Sequence, residues 1–404
     1  MGSTAFLHRV RLKNYRSIGA CDVSLGPLTF LVGPNGSGKS NFVDALRFVS
    51  DALNQTLDHA IRDRGGINEV RRRSSGHPTH FSIRLDFGNA AMRGHYAFEI
   101  SAAKDSAWTV KREECVVMPL DSVFQHPEGM RYDVGAGAVN DFPKHLGAPP
   151  PASSDRLYLV NAAGHAPFRM VMDALSRMGF YNLNPDAMRE LQPPDPGHLL
   201  KRDGSNVAST LARLESHPER KRRLIDYLSK VVPGVQDVEH KALGPRETVE
   251  FRQHVQGAKD SWRFLAQNMS DGTVRALGIL LALLQTGNGA AIPLVGIEEP
   301  EAALHPSAAG VLLDALRDAA TRMQVLATSH SADLLDDKDL PDEAIRAVVA
   351  DENETRIGPV DVAGRRALRE RLYTVGELLR MNQLLPDADA AHPRQLQLFG
   401  RDDA

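Results

Sequence analysis

The stretch FLVGPNGSGKSNFVDAL, residues 30–46, sets an apolar run against a glycine-rich turn and then a helix that opens on Lys39 and Ser40. Within it Gly33-Pro34-Asn35-Gly36-Ser37-Gly38-Lys39-Ser40 is a full GxxxxGK[ST] match. The glycines let backbone N–H groups turn inward around phosphate oxygens, and the helix N-terminus adds partial positive charge. Lys39 then reaches the terminal phosphates, and the Ser40 hydroxyl is placed to ligate magnesium. Asn41, next in the helical turn, is counted with the phosphate-binding set. The motif needs a strand before it and a helix after it, and this sequence offers both.

A second chemistry-bearing stretch is PLVGIEEPEAALHP, an apolar strand ending in two adjacent acids, Glu298 and Glu299. Isolated buried carboxylates are heavily penalised, so cations or polar work are expected there. In open α/β sheets the carboxyl ends of strands are where ligands bind. Side chains alternate along a strand, so the two acids point differently, one to the magnesium shell through water and the other to the water attacking a γ-phosphate; Glu298 is assigned to the metal and Glu299 to the base. QVLATSH places His330 just beyond another apolar strand, where it could hydrogen-bond the same phosphate or water. In NMSDGTVRALGILLALLQ, Ser270 and Asp271 are good N-caps and Gly272 permits close backbone approach, so this helix supplies a second anion-binding terminus. One nucleotide already fills the first cradle; a second is most useful over the nucleotide of another subunit.

The elements that must position these residues follow from periodicity. HRVRLKN alternates Val10 and Leu12 with Arg9, Arg11 and Lys13, as in a half-buried strand, whereas LTFLV is apolar throughout. Phe42, Val43, Leu46, Val49 and Leu53 recur at helical spacing. Residues 80–118 read as antiparallel hairpins forming an accessory sheet. Pro, Gly and Asp mark loops over 119–156 and 184–205, and residues 160–260 read as a helical insertion with a break at Pro218. From 262 to 335 helices alternate with apolar strands, and 340–404 reads as a hairpin and tail. Strands alternating with helices imply an α/β core with a mainly parallel sheet, here a single domain over 1–404 interrupted by insertions.

The formal net charge of −3 offers no broad positive field, so contact with nucleic acid must be local. The candidates are RDRGGINEVRRR (Arg62, Arg64, Arg71, Arg72, Arg73) and ERKRR (Arg220, Lys221, Arg222, Arg223), neither with interleaved aromatics for base stacking. Two distant cysteines, Cys21 and Cys115, argue against a disulfide framework or structural zinc and fit a cytoplasmic home. No segment has the character of a signal peptide or approaches the roughly 20 apolar residues of a membrane span, so no membrane partner is expected.

In order and spacing, Gly33 to Ser40, Ser270 to Arg275, Glu298 to Pro306 and His330 resemble the Walker A, signature, Walker B with D-loop, and switch histidine of ABC-type ATPases. More narrowly, LKNYRSI, MSDGTVR, EEPEAALHP and TSHSADLL resemble the RecF, SMC and OLD-like branch labelled AAA-family ATPases. The resemblance implies a P-loop NTPase of the ABC-head type that binds ATP with Mg2+. It also implies a head-to-head homodimer in which Ser270 and Gly272 of one protomer contact the γ-phosphate held by the other. Arg16 matches an early basic residue near the phosphates. Glu298 stands where many ABC proteins carry Asp, and MSDGT replaces LSGGQ; the Q-loop glutamine has no firm place, Gln125 falling in an irregular stretch.

No heptad arms of SMC type occur, and the acids of LLDDKDLPDE read as a charged loop rather than a Toprim metal cluster. The chain reads as an ATPase head without an effector of its own. That leaves three expectations: a regulatory ATPase controlling a separately encoded effector such as a nuclease in prokaryotic anti-phage defence, a RecF-like DNA-binding repair ATPase, or a scaffold locked by ATP with negligible turnover.

Overall fold

A computed structural model describes residues 5–74, 78–103, 107–120, 129–255, 257, 259–285, 291–393 and 396–400. In chain order the strands are β1 (Leu7–Tyr15), β2 (Ile18–Ser24), β3 (Leu28–Val32), β4 (His80–Gly88), β5 (Met92–Ala102), β6 (Trp108–Pro119), β7 (Met130–Gly135) and β8 (Ala138–Asp141). They continue with β9 (Gly179–Tyr181), β10 (Val235–Leu243), β11 (Arg246–Gln253), β12 (Trp262–Leu265), β13 (Leu294–Glu298), β14 (Gln324–Ser329), β15 (Ile345–Asp351) and β16 (Glu354–Pro359). The fold is α/β, combining parallel pairing around the motif-bearing strands with a separate antiparallel sheet. The chain divides into two compact units, Met1–Met178 with Pro341–Leu372 and Met381–Ala404, and Gly179–Leu340 with Tyr373–Arg380.

The first unit contains an antiparallel sheet of order β2-β1-β4-β5-β6-β7-β8. Its register aligns Leu12 with Ile83, Ile83 with Phe98, and Phe98 with Glu113, which puts these residues on one face. Phe81 and Phe98 pack against Phe48 of the helix Lys39–Asn54, with ring centroids 5.5 and 6.2 Å away. The other face carries Arg11, Arg84 and Glu114. Simple alternation predicts Arg11 in water, yet it is 2% exposed. The reason is a cover: Arg11 donates to the Gln397 carbonyl, Arg84 to those of Leu398 and Gly400, and the Gly400 amide to Glu114. Asp22 and Asp86, each 3.3 Å from Arg11, neutralise the buried guanidinium. The hairpin β7–β8 falls inside a stretch expected as loop; Met130 and Tyr132 alternate inward, but the run is too short to stand out among the surrounding Gly, Asp and Pro.

In the same unit β3 pairs in parallel with β15, Phe30 opposite Ile345 and Val32 opposite Ala347. β15 turns back antiparallel into β16 through Glu352 and Asn353, both with positive φ. β3 is buried along nearly its whole length and delivers the chain to the glycine turn.

The second unit is built on parallel β9, β13 and β14, with Ile297 opposite Tyr181 and Glu298 opposite Thr328. The helix Asp271–Leu284 is buried on almost every side, as its all-round apolar sequence demands. Helices Val207–Glu215 and Pro218–Val231 meet at the expected break, Pro218 entering at the first turn of the second. Within 160–260, expected as helical, β10 and β11 instead pair antiparallel, and β12, just beyond that stretch, joins them in one sheet. Val235 and Val238 of β10 and Val249 and Phe251 of β11 are buried, an inward set separated by charged residues that mimics an amphipathic helix.

Candidate functional site

In the first unit the loop from Gly33 to Gly38 joins β3 to the helix Lys39–Asn54. Gly38 sits at φ 99°, and a Cβ there would lie 1.9 Å from Thr355 Oγ1, so both conformation and space require glycine. Lys39 is 5% exposed and its ammonium donates to the Gly33 and Pro34 carbonyls at 2.7 and 2.8 Å, curling the loop over the helix mouth. The Asn41 and Phe42 amides donate to the Gly38 carbonyl, whereas those of Lys39 and Ser40 precede the helix's own hydrogen-bond ladder. Pro34, Asn35, Gly36 and Ser40 are exposed, while Ser37 Oγ is buried with no hydrogen-bond partner among the described residues. Together they fit a phosphate-bearing ligand. Asn41 is turned to the scaffold: its amide donates to Ser17 Oγ at 2.6 Å, and Ser17 pairs with Thr355 Oγ1 at 2.7 Å.

Arg16 has φ 49° and lies 3.0 Å from Asp44, a buried acid four residues beyond Ser40. Tyr15 donates to Asp44 at 2.8 Å, and Arg47 and Arg64 approach it to 2.5 and 3.0 Å. Burial pushes the Asp44 carboxyl up, but the Arg64, Arg47 and Arg16 charges outweigh it and hold it below the ordinary carboxylate range. The structure therefore couples Arg16 to the glycine loop's own helix through an acid absent from the motif list.

In the second unit Glu298 ends β13 and Glu299 follows at φ 47°, a left-handed conformation uncommon outside glycine. The Glu299 amide donates to the Thr328 carbonyl and hydroxyl, both at 3.1 Å, which turns the chain at the strand's end. Glu299 Oε1 stands 3.3 Å from His330 Nδ1, each side chain 40% exposed, so the two sequence-predicted groups are within reach of each other and of solvent. Glu298 is less exposed, with Arg202 3.3 Å away.

Three residues that motif reading passed over complete this cluster. Glu301 Oε1 accepts from Ser329 Oγ at 2.7 Å and from the His330 amide at 3.4 Å, fixing the chain that presents His330. Its Oε2 is buried without a hydrogen-bond partner among the described residues. Arg275 donates to the Glu298 and Glu299 carbonyls at 3.2 and 3.1 Å and to the Leu183 carbonyl at 2.8 Å. Burial holds its guanidinium below the ordinary value despite Glu299 and Glu301 nearby. Thr328, opposite Glu298 in the sheet, was legible only as a polar residue in an apolar strand.

Ser270 caps the helix Asp271–Leu284, its Oγ accepting from the Thr273 amide at 3.3 Å, yet it remains exposed. A Cβ on Gly272 would lie 2.5 Å from the Ala303 carbonyl, so glycine lets the cap pack against the loop after Glu299. Ala303 itself has φ 63°. Arg189 donates to the Met269 carbonyl at 3.0 Å and pairs with Asp271, clamping the cap from outside.

The first basic stretch does not present a uniform cationic face. Arg64 has a side chain 1% exposed and is spent on Asp44 and Asp51; Arg72 pairs with Glu354, Arg73 with Glu69, and Arg62 with Asp58. Arg71 bonds Asn68 and the Pro78 carbonyl. In the second stretch Lys221 pairs with Glu215, Arg222 with Glu219 and Arg223 with Asp318, whereas Arg220 donates to the Leu284 carbonyl. Gln125 lies outside the described residues. Cys21 and Cys115 are free and buried. Among the described residues no helix is long and apolar enough to cross a membrane.

A protein-family model described as "AAA domain, putative AbiEii toxin, Type IV TA system" matches residues 28–111 and 171–337, which include every motif above except Arg16. Over 43 residues the chain is 46% identical to an OLD nuclease of Thermus scotoductus, a match covering 11% of this chain and 8% of that protein. Over 41 residues it is 46% identical to the DNA replication and repair protein RecF of Vibrio vulnificus, covering 10% of this chain and 11% of RecF. The chain thus aligns with about a tenth of the length of these curated relatives. Among solved structures it is similar to an Smc head bound to the C-winged helix domain of ScpA, at 14% identity and a TM-score of 0.54, covering 89% of this chain and 99% of that one. A Pyrococcus furiosus Smc head with an extended coiled coil, bound to the C-terminal domain of ScpA, gives 13% identity and a TM-score of 0.52 over 91% of this chain and 99% of the other. At these identities the likeness is one of fold, that of an Smc head.

Proposed function

Because this chain belongs to the AAA-domain family whose model it matches over more than half its length, we propose that it is an ABC-type ATPase that binds ATP, dimerises around it, and by hydrolysing it controls a separately encoded effector. The triphosphate is taken by Gly33 to Ser40, with Lys39 as its cation. Ser40 and Glu298 would hold Mg2+, which when bound screens the phosphate charge; Glu298, shielded but with only a 3.3 Å ion pair to Arg202, suits that role. Glu299 accepts the proton of the attacking water, and His330 orients the same water or the γ-phosphate. Ser270 and Gly272 complete the enclosure of a second protomer's nucleotide.

The observation that carries this reading is the pairing of Glu299 with His330, 3.3 Å apart and exposed, on a backbone held in the left-handed region by Thr328. Backbone strain maintained at a strand end that bears an exposed acid and imidazole favours chemistry over packing. The short match to RecF keeps DNA repair as a second reading, though the OLD nuclease match is two residues longer at the same identity, and the paired arginines of the first basic stretch lend that reading little support. Anti-phage defence and an effector nuclease rest on the family resemblance, and a cytoplasmic setting on the two distant cysteines.

The test is ATP turnover and mass in solution with Mg-ATP. Lys39→Ala should lose nucleotide binding, whereas Glu299→Gln should retain ATP and accumulate as a dimer. A strictly monomeric, ATP-bound Glu299→Gln sinks the sandwich, and wild-type turnover no faster than that of Glu299→Gln leaves the ATP-locked scaffold. Co-purification with the products of adjacent genes identifies the effector.

A further inference from the structure

A cavity of about 770 Å³ opens in the second unit, away from the carboxylate cluster. It lies at the amino ends of β13 and β14, where Ile292 and Met323 precede those strands, whereas Glu298 and Glu299 lie at the carboxyl end of β13. The strand between is about 17 Å long, so the cavity is not part of the site already described.

Its walls divide by chemistry. Leu283, Leu284, Ile292 and Met323 form an apolar part. Five arginines, Arg213, Arg220, Arg222, Arg223 and Arg322, line the same space against two acids, Glu219 and Asp226. They converge from separate elements: the helix Val207–Glu215, the helix Pro218–Val231, and the turn after the helix Ala309–Ala320. Such convergence is unlike a solvated helix face, where like charges spread apart.

The arginines are unequally neutralised. Arg223 and Arg322 share one carboxylate, Asp318, and Arg222 is held at 2.6 Å by Glu219. Arg220 has no carboxylate partner among the described residues and instead donates to the Leu284 carbonyl at 3.1 Å. Burial and the neighbouring Arg322 charge both hold its guanidinium below the ordinary value, the sign of a cation that lacks an anion. The helix Pro218–Val231 also opens here, with no side chain capping its first turn. Crowded guanidiniums favour phosphate, whose oxygens take charge-assisted hydrogen bonds from arginine.

We propose that this cavity binds a phosphorylated ligand of nucleotide size, its phosphate taken by Arg220 and Arg322 at the mouth of the helix Pro218–Val231 and its base laid on Leu284, Ile292 and Met323. The volume falls in the range of small-ligand sites, and an apolar floor under a cationic rim matches a nucleotide's two halves. The ligand is either a free nucleotide or the phosphorylated end of a strand, which share this chemistry.

The experiment uses the full chain without added nucleotide, and follows by anisotropy a fluorescent 5′-phosphorylated dithymidine dinucleotide and, in a second arm, a long single strand carrying the same end. Arg322→Ala and the exposed-rim variant Arg222→Glu should each weaken the dinucleotide by about tenfold or more, with wild-type affinity falling as salt rises. Lys39→Ala should leave it unchanged, which separates this site from the ATP cradle whether or not the ATPase reading stands. Stronger binding of the strand than of the dinucleotide, lost in the same variants, assigns the ligand to strand ends; equal binding assigns it to free nucleotides. The proposal is overturned if the dinucleotide does not bind, if Arg322→Ala and Arg222→Glu bind it as wild type does, or if Lys39→Ala abolishes binding.

Discussion

Two pairs of adjacent glutamates, Glu113–Glu114 in β6 and Glu298–Glu299 at the end of β13, have the same local sequence logic and opposite surroundings. Glu113 and Glu114 are both 0% exposed and richly partnered. Glu113 accepts from the Tyr96 and Tyr132 hydroxyls at 3.0 and 2.8 Å and from the Tyr158 and Leu159 amides. On the opposite face Glu114 meets His95 at 2.6 Å, Arg131 at 2.8 Å and the Gly400 amide at 2.9 Å. Glu299, by contrast, is 40% exposed, with His330 Nδ1 3.3 Å away, on a left-handed backbone. Carboxylates whose lone pairs are filled by the protein hold a fold together. Carboxylates left open on a constrained backbone are available for reaction.

The widest separation between the two pairs should come from neutral isosteres. Glu299→Gln should lower ATP turnover by about 10²–10⁴-fold, the contribution of a positioned general base, with little change in melting temperature. Glu113→Gln should do the reverse. An amide has one acceptor oxygen, so its NH2 group would face donors where Glu113 now accepts four bonds, and unfolding should become easier by about 2–3 kcal/mol. Denaturant titration of both variants beside turnover checks the pair. A Glu299→Gln that unfolds readily, or a Glu113→Gln as stable as wild type, breaks the distinction.

Much of this was legible in the sequence and some could not be. The glycine cradle, the strand before it, and the helices after Ser270 and Gly38 are local patterns, and each forms as its residues dictate. The argument that paired acids on an apolar strand demand a function applies equally to EE at 113–114, where it fails. What satisfies Glu113 is Tyr96, Tyr132 and Tyr158, brought in by other strands and a later turn, and no spacing rule reveals that. Arg11 is buried for the same kind of reason: residues 397–400 cover a face that alternation assigns to water. Asp44, Glu301 and Arg275 escaped notice because their importance lies in the partners that tertiary structure supplies.

Within the buried pair the two acids should respond oppositely to pH. Burial pushes the Glu113 carboxyl above its ordinary value. It pushes Glu114 up as well, but hydrogen bonds from His95, Arg131 and the Gly400 amide outweigh it and hold Glu114 down at about 2. A depressed acid stabilises the fold above the unfolded value of 4.5 and loses that contribution as pH falls toward about 2. A raised acid costs stability as pH climbs through 4.5 toward the folded value. Glu114→Gln should therefore flatten the acid limb of stability between about pH 4.5 and 2, while Glu113→Gln should leave that limb in place. Equal acid sensitivity in wild type and Glu114→Gln would show that the cover of residues 397–400 does not depend on this charge.

The smallest expected effect sharpens the open pair from inside. Arg202, 49% exposed, lies 3.3 Å from Glu298, which is 15% exposed. If that contact were structural, removing it would leave a shielded, unpaired charge and destabilise the fold. As an exposed, long ion pair it should contribute no more than about 1 kcal/mol, so Arg202→Ala should melt close to wild type. Its consequence should appear in Mg2+ dependence instead, because in the proposed role of Glu298 as metal ligand Arg202 would compete with the cation for the same carboxylate. The Mg2+ concentration giving half-maximal turnover should fall by about two- to fivefold, the change that a contact of this size allows. A fall in melting temperature with unchanged Mg2+ dependence would move Glu298 to the structural side of the comparison and leave Glu299 as the sole open acid at the end of β13.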